Sequence, residues 1–202
     1  ESMGIQATFI RHGKTAGNLR GAYIGRTDEP LCPEGIAILR ENRQAGVYPD
    51  KPGILLASPL KRCVETAELL FPNGEIRTVS DFRETDFGEF EGKSYEDLNG
   101  NPDYQKWIDS GGSIAFPGGE SPEDFKKRCA AAFLETMKEI PEDAFVTIVC
   151  QGGTIMAILD AFSHPHGDFY NWQAKNGGGF RCRYDPETGR LEHITPLGDR
   201  RN

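Results

Sequence analysis

Arg11, His12 and Gly13 follow the apolar run Ala7–Ile10, which has the composition of a buried strand. In a parallel sheet, the turn after the carboxyl end of a strand is the usual ligand site. An arginine there offers a planar fork to a phosphate, and the adjacent imidazole can act as a base, a nucleophile or a ligand. Gly13 lets the backbone approach closely. The triplet alone is a weak indication, because a single histidine at a strand end is more often structural.

A second candidate turn follows Ile54–Ala57, where Ser58 precedes a helix with Arg62 in its first turn. Unpaired N–H groups at a helix N-terminus favour anions, and an arginine there adds positive charge. In isolation, such an arginine is as often a solvated surface residue. The loop after the next strand-like run, Ile76–Val79, holds four carboxylates that are candidates for acid–base chemistry: Glu84, Asp86, Glu89 and Glu91.

A fourth turn follows Phe145–Cys150, where Gln151 and Gly152 lead into a short apolar helix. Cys150 raises the question of a thiol nucleophile. A cysteine phosphatase loop needs an arginine six residues after the cysteine, and Met156 occupies that position. Cys150 is therefore interpreted as a small buried side chain at a strand end.

The four turns meet only if the elements before them form one sheet. Strand-like apolar runs occur at Ala7–Ile10, Ile54–Ala57, Ile76–Val79, Phe145–Cys150, Gly179–Tyr184 and Leu191–Ile194. Helical patterns occur at Pro33–Ala45, Pro59–Phe71, Ser121–Ile140 and Thr154–Phe162. This alternation predicts an α/β fold, a three-layer sandwich with a mostly parallel central sheet and helices on both faces. We interpret residues 1–202 as a single domain with the four turns at one edge of the sheet.

Residues 88–119 interrupt the alternation of strands and helices. This segment is rich in Gly, Asp, Asn and Pro, with short helical pieces around Tyr95–Leu98 and Asp103–Asp109. We predict a small insertion that caps the site, and a surface excursion without function remains the alternative. Its aromatic residues are expected to anchor the insertion rather than to stack on a substrate ring: Tyr95, Tyr104, Trp107 and Phe116. Gly167–Phe180 is a further candidate for the wall of the site.

The composition limits the classes of partner. A net charge of −8 over 202 residues argues against a general binder of nucleic acid or anionic membrane, since both require a positive face. Five widely spaced cysteines without a C-x-x-C pair disfavour a disulfide framework and a zinc site, and predict a reducing, cytoplasmic location. No apolar run approaches the roughly 20 residues of a membrane span, and the N-terminus lacks the order of a signal peptide. We expect a small-molecule partner.

Six motifs in chain order carry a resemblance to a known family. They are RHGKTAGN, YIGRTDEPLCPEG, SPLKRCVETAELL, RETDFGEFEG, PGGES and VCQGGTI. Together they resemble the histidine phosphatase superfamily, the phosphoglycerate-mutase-like group, and most of all its bacterial α-ribazole phosphatase branch. The resemblance runs from about Ala7 to Phe162, and it is more specific for the superfamily than for a substrate.

The resemblance implies a role for each matching residue. His12 is implied as the nucleophile that forms a phosphohistidine, and Glu84 as the proton donor to the leaving alcohol and then the base for water. Gln151 occupies the third catalytic position. The implied substrate-binding residues are Arg11, Arg62, Asn18, Thr15 and Gly152. Lys14 departs from the acidic or amide residue common at its position, which either tunes substrate preference or leaves the side chain in solvent.

The implied activity is that of a metal-independent phosphomonoesterase without a cofactor. Its substrate is expected to be a small phosphorylated metabolite, with α-ribazole 5′-phosphate as a candidate. A phosphoglycerate-type mutase is a second interpretation, ranked lower because the insertion is short. A weakly active or non-catalytic binder of phosphate ligands is the third. The oligomeric state stays open.

Gln151 motivates the third interpretation, because the family places a second histidine before the Gly-Gly pair. A glutamine amide has a donor of similar reach without charge. Hydrogen bonds to charged groups contribute roughly 1.5–3 kcal/mol, and complete loss of an oxyanion donor lowers the rate by about 10²–10³. We expect the Gln151 amide to keep a donor at the phosphoryl group, so that the site is weakened rather than emptied.

Overall fold

Six strands form the central sheet in the computed structural model, which describes residues 4–198. They are β1 (Ile5–Arg11), β2 (Ile54–Ala57), β3 (Ile76–Thr78), β4 (Phe145–Cys150), β5 (Gly179–Asp185) and β6 (Arg190–Pro196). Their order is β3-β2-β4-β1-β5-β6. Strands β1 to β4 are parallel to one another. At one edge, β5 runs antiparallel to β1, and β6 runs antiparallel to β5. Each predicted apolar run is a strand, and the mostly parallel sheet is confirmed.

Seven α-helices lie within the described residues. They are α1 (Ala16–Leu19), α2 (Pro33–Gln44), α3 (Lys61–Leu70), α4 (Tyr95–Leu98), α5 (Pro102–Asp109), α6 (Pro122–Lys138) and α7 (Gly152–Phe162), and single 3₁₀ turns occur at Ser80–Phe82, Gly88–Phe90 and Phe169–Trp172. The sequence pattern did not predict α1, which is a single capped turn. Among residues 4–198, none of the helices combines the length and apolar character needed to span a bilayer.

Helix α7 begins two residues before the predicted start at Thr154. Glycine is a poor helix former, so the sequence pattern predicted a turn at Gly152 and Gly153. The structure makes both helical, because Ile155 and Ile158 bury one face of the helix fully and fix its direction. The helix N-terminus therefore reaches the sheet edge where β4 ends.

Alternate side chains of the strands enter two separate cores, as strand geometry requires. Phe9 of β1 faces α6 and α7, where its ring lies 6.0 Å from that of Phe133. Ile10 points to the opposite face and packs with Leu39 beneath α2 and α3. Helices therefore cover both faces of the sheet, and the three-layer arrangement is confirmed.

The segment 88–119 builds a third, aromatic cluster. Phe90, Leu98 and Phe116 are buried in it, and Tyr104 and Trp107 pack against them. Two residues outside the segment, Tyr23 and Phe87, join the same cluster. By contrast, Tyr95 is 65% exposed. The cluster agrees with the anchoring interpretation of Tyr104, Trp107 and Phe116, while Tyr95 takes no part in it.

Candidate active site

A pocket of about 270 Å³ opens at the carboxyl ends of the parallel strands. Five of the residues singled out in the sequence line it: Arg11, His12, Asn18, Glu84 and Gly152. Arg62, Thr15 and Gln151 are buried and are not among the lining residues. The remaining wall is Ala22, Tyr23, Ile24, Phe87, Gly153, Met156, Gln173 and Ala174.

The position of His12 follows from the pairing of β1 with β4. Arg11 is opposite Cys150 in the parallel register, and the backbone N–H of His12 donates to the Cys150 carbonyl at 3.0 Å. His12 and Gln151 therefore leave adjacent strands at the same level. The imidazole is 3% exposed, yet it lines the pocket.

The imidazole of His12 is held in one tautomer. Its Nδ1 lies 2.6 Å from the carbonyl oxygen of Gly13. A carbonyl only accepts, so Nδ1 carries the hydrogen and Nε2 keeps a lone pair. Burial lowers the pKa of His12 to about 3, with the positive charges of Arg62 and Arg11 acting in the same direction and the Gly13 hydrogen bond opposing them. At neutral pH the imidazole is therefore neutral, and its Nε2 is unprotonated.

Arg62 lies beneath this site with 1% of its surface exposed. Its Nη1 donates to the Thr27 carbonyl at 2.8 Å, and its Nη2 donates to the Gly25 carbonyl at 2.7 Å. The segment that precedes α2 thus fixes the guanidinium through backbone oxygens. These neutral acceptors leave its charge uncompensated, which favours an anion nearby.

Arg11 is the cation that lines the pocket itself. Its Nη1 donates to the Ala174 carbonyl at 2.7 Å, while its buried Nε has no hydrogen-bond partner among the described residues. Burial lowers the pKa of Arg11, Glu84 opposes this effect and Arg62 adds to it. An unpaired buried donor on a guanidinium is costly without an acceptor. A phosphate oxygen would supply one.

Thr15 and Asn18 form the cap of α1. The Thr15 hydroxyl accepts from the Asn18 N–H at 3.2 Å, and Asn18 Oδ1 accepts from the Thr15 N–H at 3.0 Å. Asn176 Nδ2 also donates to Asn18 Oδ1, at 3.3 Å. With Oδ1 used in this way, the Asn18 amide N–H₂ is the group left for the pocket. Thr15 is fully buried, so the structure places it as the cap that orients Asn18, which differs from the expected contact with phosphate.

Glu84 lies on a loop whose backbone is held by two arginine side chains. Its Oε1 accepts from the Thr85 N–H at 2.9 Å, and its backbone carbonyl accepts from Arg128 at 3.2 Å and from Arg26 at 3.3 Å. The carboxylate lies over the first turn of α7, since a β-carbon on Gly153 would stand 2.5 Å from Oε1. The acid therefore faces the same pocket as His12.

Gln151 departs from the expectation that its amide donates to the phosphoryl group. The side chain is 0% exposed, with Nε2 donating to Ser58 Oγ at 2.6 Å and Oε1 accepting from Thr154 Oγ1 at 3.0 Å. Both ends of the amide are therefore used inside the protein. As N-cap of α7, Gln151 also makes no side-chain cap bond. Gly152 and Gly153, which carry the first N–H groups of the helix, line the pocket and receive no side-chain cap from Gln151.

Two other candidate residues, Lys14 and Cys150, have structural surroundings and do not line the pocket. Lys14 lies 3.5 Å from Glu34 on the surface, which matches the solvent-facing alternative for this position. Burial raises the pKa of the Cys150 thiol well above its ordinary value, and Cys150 is fully buried. A protonated, inaccessible thiol is unreactive.

Sequence reasoning missed Tyr23, Phe87 and Met156 as parts of the pocket wall. Tyr23 begins the motif YIGRTDEPLCPEG, and Phe87 lies within RETDFGEFEG. Their places inside these motifs are the sequence signal that could have indicated a position in the pocket wall. Met156 lies one helical turn after Gly152 on α7. The predicted contribution of Gly167–Phe180 is present as Gln173 and Ala174.

A family model described as "Histidine phosphatase superfamily (branch 1)" matches residues 7–195. The chain belongs to the histidine phosphatase superfamily. Named relatives include phosphatases as well as phosphoglycerate mutases, and the enzyme class implied by the resemblance is confirmed. The match also extends beyond the motifs to include β5 and most of β6.

Individual relatives agree with this family. The uncharacterized phosphatase PhoE of Bacillus subtilis (strain 168) is 30% identical over 159 residues, which are 77% of this chain and 76% of that protein. The adenosylcobalamin/alpha-ribazole phosphatase of Escherichia coli (strain K12) is 24% identical over 155 residues, 75% of each chain. The crystal structure of the alpha-ribazole phosphatase from Shigella flexneri has a TM-score of 0.78 at 20% identity, covering 92% of this chain and 94% of that one. That likeness shows a shared fold.

Proposed function

We propose that this histidine phosphatase is a metal-independent phosphomonoesterase that works through a phosphohistidine on His12. The observation that carries the proposal is the buried, neutral imidazole, whose Nδ1 is 2.6 Å from the Gly13 carbonyl. This contact leaves the Nε2 lone pair for attack on phosphorus. Arg11 lies beside His12 in the pocket and Arg62 beneath it.

The proposed reaction has two steps. The Nε2 lone pair of His12 forms a bond to phosphorus as the bond to the ester oxygen breaks, and the Glu84 carboxylic acid gives its proton to that leaving oxygen. In the second step, the Glu84 carboxylate takes a proton from water. The water oxygen then bonds to phosphorus, the phosphorus–nitrogen bond breaks, and phosphate leaves with His12 neutral again.

Positive charge and N–H donors supply the stabilisation that phosphoryl transfer needs. Charge accumulates on the equatorial phosphoryl oxygens, and catalysis depends mainly on positioned donors. The guanidinium groups of Arg11 and Arg62, the Asn18 amide and the N-terminus of α7 at Gly152 are the candidates. Thr15 contributes by orienting Asn18.

The substrate is proposed to be a small phosphomonoester with an apolar or aromatic part. Tyr23, Phe87 and Met156 form an apolar wall beside Glu84, where the leaving alcohol would lie. This wall and the Escherichia coli relative named as an adenosylcobalamin/alpha-ribazole phosphatase support α-ribazole 5′-phosphate as the first candidate. Residues 88–119 are proposed as a cap of the single domain, acting on the pocket through Tyr23 and Phe87. A cytoplasmic location stays part of the proposal because of the cysteine spacing.

The decisive experiment measures hydrolysis of p-nitrophenyl phosphate by the wild type and by His12→Ala. We expect His12→Ala to have no turnover above background and the wild type to keep its rate in EDTA. Rapid quenching with radiolabelled substrate should yield an acid-labile phosphoenzyme in the wild type. His166→Ala is the matched control, since the His166 side chain is 61% exposed and outside the pocket. Retained turnover in His12→Ala would overturn the proposal.

A panel of phosphorylated metabolites tests the substrate. We expect α-ribazole 5′-phosphate to have a higher kcat/KM than glycerol phosphates or phosphoglycerate, because its ring would contact the apolar wall. Transfer of label to an added alcohol rather than to water would favour the mutase interpretation. Equal kcat/KM values across the panel would show that the apolar wall does not determine substrate preference.

Burial of the Gln151 amide also favours a second candidate, a phosphate-ligand binder without turnover. The pocket lacks a charged donor from this position, and a histidine would restore one. If neither the wild type nor Gln151→His hydrolyses any ester of the panel while both bind orthophosphate, the binding function is favoured. A large gain in rate in Gln151→His would identify an enzyme weakened at this residue.

A further inference from the structure

The side chain of Gln151 connects two of the turns that meet at the active site. Gln151, Ser58 and Thr154 are each 0% exposed. Ser58 follows β2, and its N–H donates to the Val149 carbonyl of β4 at 3.0 Å. The amide lies 2.6 Å from Ser58 Oγ and 3.0 Å from Thr154 Oγ1. Reversing the amide keeps both contacts, so either orientation commits it to the same two partners.

Thr154 extends this contact to the segment that presents the acid. Its Oγ1 also lies 3.0 Å from the Phe82 carbonyl, two residues before Glu84. The single hydroxyl hydrogen donates to that carbonyl when the amide is reversed, so that Gln151 Nε2 donates to Thr154. The Phe82 side chain is itself fully buried. Gly153, the neighbour of Thr154, lies directly beneath the Glu84 carboxylate. The Gln151 amide therefore fixes, through Thr154, the distance between the acid segment and the first turn of α7.

Arg128 holds the outer side of the same segment. It donates to the carbonyls of Asp81 at 2.7 Å, Arg83 at 3.0 Å and Glu84 at 3.2 Å. The acid segment is thus fixed from outside by a guanidinium and from inside by the Thr154 hydroxyl. Removal of the inner contact leaves one side of the segment free to shift.

We infer that Gln151 is a positioning residue, which aligns Glu84 through Thr154 and does not bind the phosphoryl group. The inference rests on the proposed function, because it gives Glu84 the proton transfer to the leaving oxygen. Proton donation matters most for a basic leaving group and least for an acidic one. A misplaced Glu84 should therefore slow esters of basic alcohols selectively, whereas loss of a phosphoryl ligand should slow all esters alike.

A series of phenyl phosphates that differ only in the ring substituent tests this distinction. Gln151→Met keeps the side-chain length and removes the hydrogen bonds. We expect its kcat/KM for p-methoxyphenyl phosphate to fall by about 10-fold or more relative to that for p-nitrophenyl phosphate, with unchanged inhibition by orthophosphate. Thr154→Val should show the same selective loss, and the double variant should lose no more than either single variant.

Thr147→Val is the matched control. Thr147 is 1% exposed on β4, and its Oγ1 donates to the Pro52 carbonyl at 2.8 Å. This variant removes a comparable buried hydrogen bond far from the acid segment, so its losses should be equal across the series. If Gln151→Met does not fold, Thr154→Val carries the test.

Three results would overturn the positioning role. The first is an equal loss for all esters with weaker orthophosphate inhibition, which would make Gln151 a phosphoryl ligand. The second is unchanged kinetics in both variants, and the third is the same selective loss in Thr147→Val. A wild type that hydrolyses none of the esters would instead defeat the proposed function, and the inference with it.

Discussion

At the residue scale, the surroundings of His12 favour the proposed nucleophilic attack without a partner base. Burial and two nearby guanidinium groups lower its pKa to about 3, and the Gly13 carbonyl fixes the proton on Nδ1. A neutral imidazole between two cations is unfavourable to protonate but well placed to attack a phosphate dianion. The same charges that would bind the phosphate thus also keep the nucleophile unprotonated.

The lowered pKa of His12 predicts a pH dependence of stability. The unfolded chain binds a proton near the ordinary pKa of about 6.5, whereas the folded protein resists protonation until about pH 3. The His12 contribution is therefore fully present above about pH 6.5 and is lost as the pH falls toward 3. Between about pH 7.5 and pH 5, the wild type should lose about 2 kcal/mol more unfolding free energy than His12→Ala.

Urea denaturation of both proteins at the two pH values, in buffers without phosphate, measures this difference. Parallel pH profiles for the wild type and His12→Ala would contradict the burial of a neutral imidazole.

At the element scale, the N-terminus of α7 lies against both the proposed phosphate site and the Glu84 carboxylate. Gly152 and Gly153 bring the helix backbone to the pocket, and a side chain at either position would meet Arg11 or Glu84. A β-carbon at Gly153 would displace the Glu84 carboxylate at 2.5 Å, whereas one at Gly152 would press on the Arg11 side chain at 3.2 Å. The helix dipole adds partial positive charge at the same place.

Gly153→Ala tests the close contact with Glu84. Alanine favours helix over glycine by up to about 1 kcal/mol, so thermal stability should be kept or slightly raised. The new methyl group would stand 2.5 Å from Glu84 Oε1 and displace that flexible carboxylate. We expect kcat for p-methoxyphenyl phosphate to fall by about 10-fold or more.

The background Glu84→Gln provides the control for Gly153→Ala. Without the acid, the added methyl group should cause little further loss, because both changes act on the same proton transfer. An equal loss from Gly153→Ala in both backgrounds would show that the glycine serves the phosphoryl group instead.

At the scale of the whole molecule, the aromatic cluster couples residues 88–119 to the pocket. Phe116 lies 5.0 Å from Phe87 and 5.2 Å from Trp107 between ring centroids. Tyr23 shares the cluster, and burial together with a hydrogen bond to Tyr104 raises the pKa of its hydroxyl. The pocket wall is therefore supported from behind by the segment 88–119.

Phe116→Ala should loosen this segment selectively. Phe116 is 6% exposed, and truncation of a buried phenylalanine costs about 3–5 kcal/mol when the whole fold depends on it. Because the cluster is separate from the two sheet cores, we expect faster hydrogen exchange in residues 88–119 than in the sheet, together with a raised KM. Tyr95→Ala, at a residue that is 65% exposed, should change neither. Uniformly faster exchange across the sheet would contradict a separate cap.

The family resemblance singled out Glu84 among the four carboxylates of its loop. The sequence by itself predicted the mostly parallel sheet, the main helices and the turn that holds Arg11 and His12. These follow from local information, because strand and helix periodicities are short-range and a parallel sheet brings the turns after its strands to one edge. It also excluded Cys150 through the missing arginine.

Only the tertiary structure decided what each polar side chain contacts. Gln151 turns into the interior because Ser58 and Thr154, which come from different elements, both reach its amide. Thr15 faces Asn18 rather than the pocket, and Tyr23 and Phe87 meet through an aromatic cluster. Such hydrogen bonds and packing depend on which distant segments come within about 3–4 Å of one another, and no single stretch of sequence contains that distance.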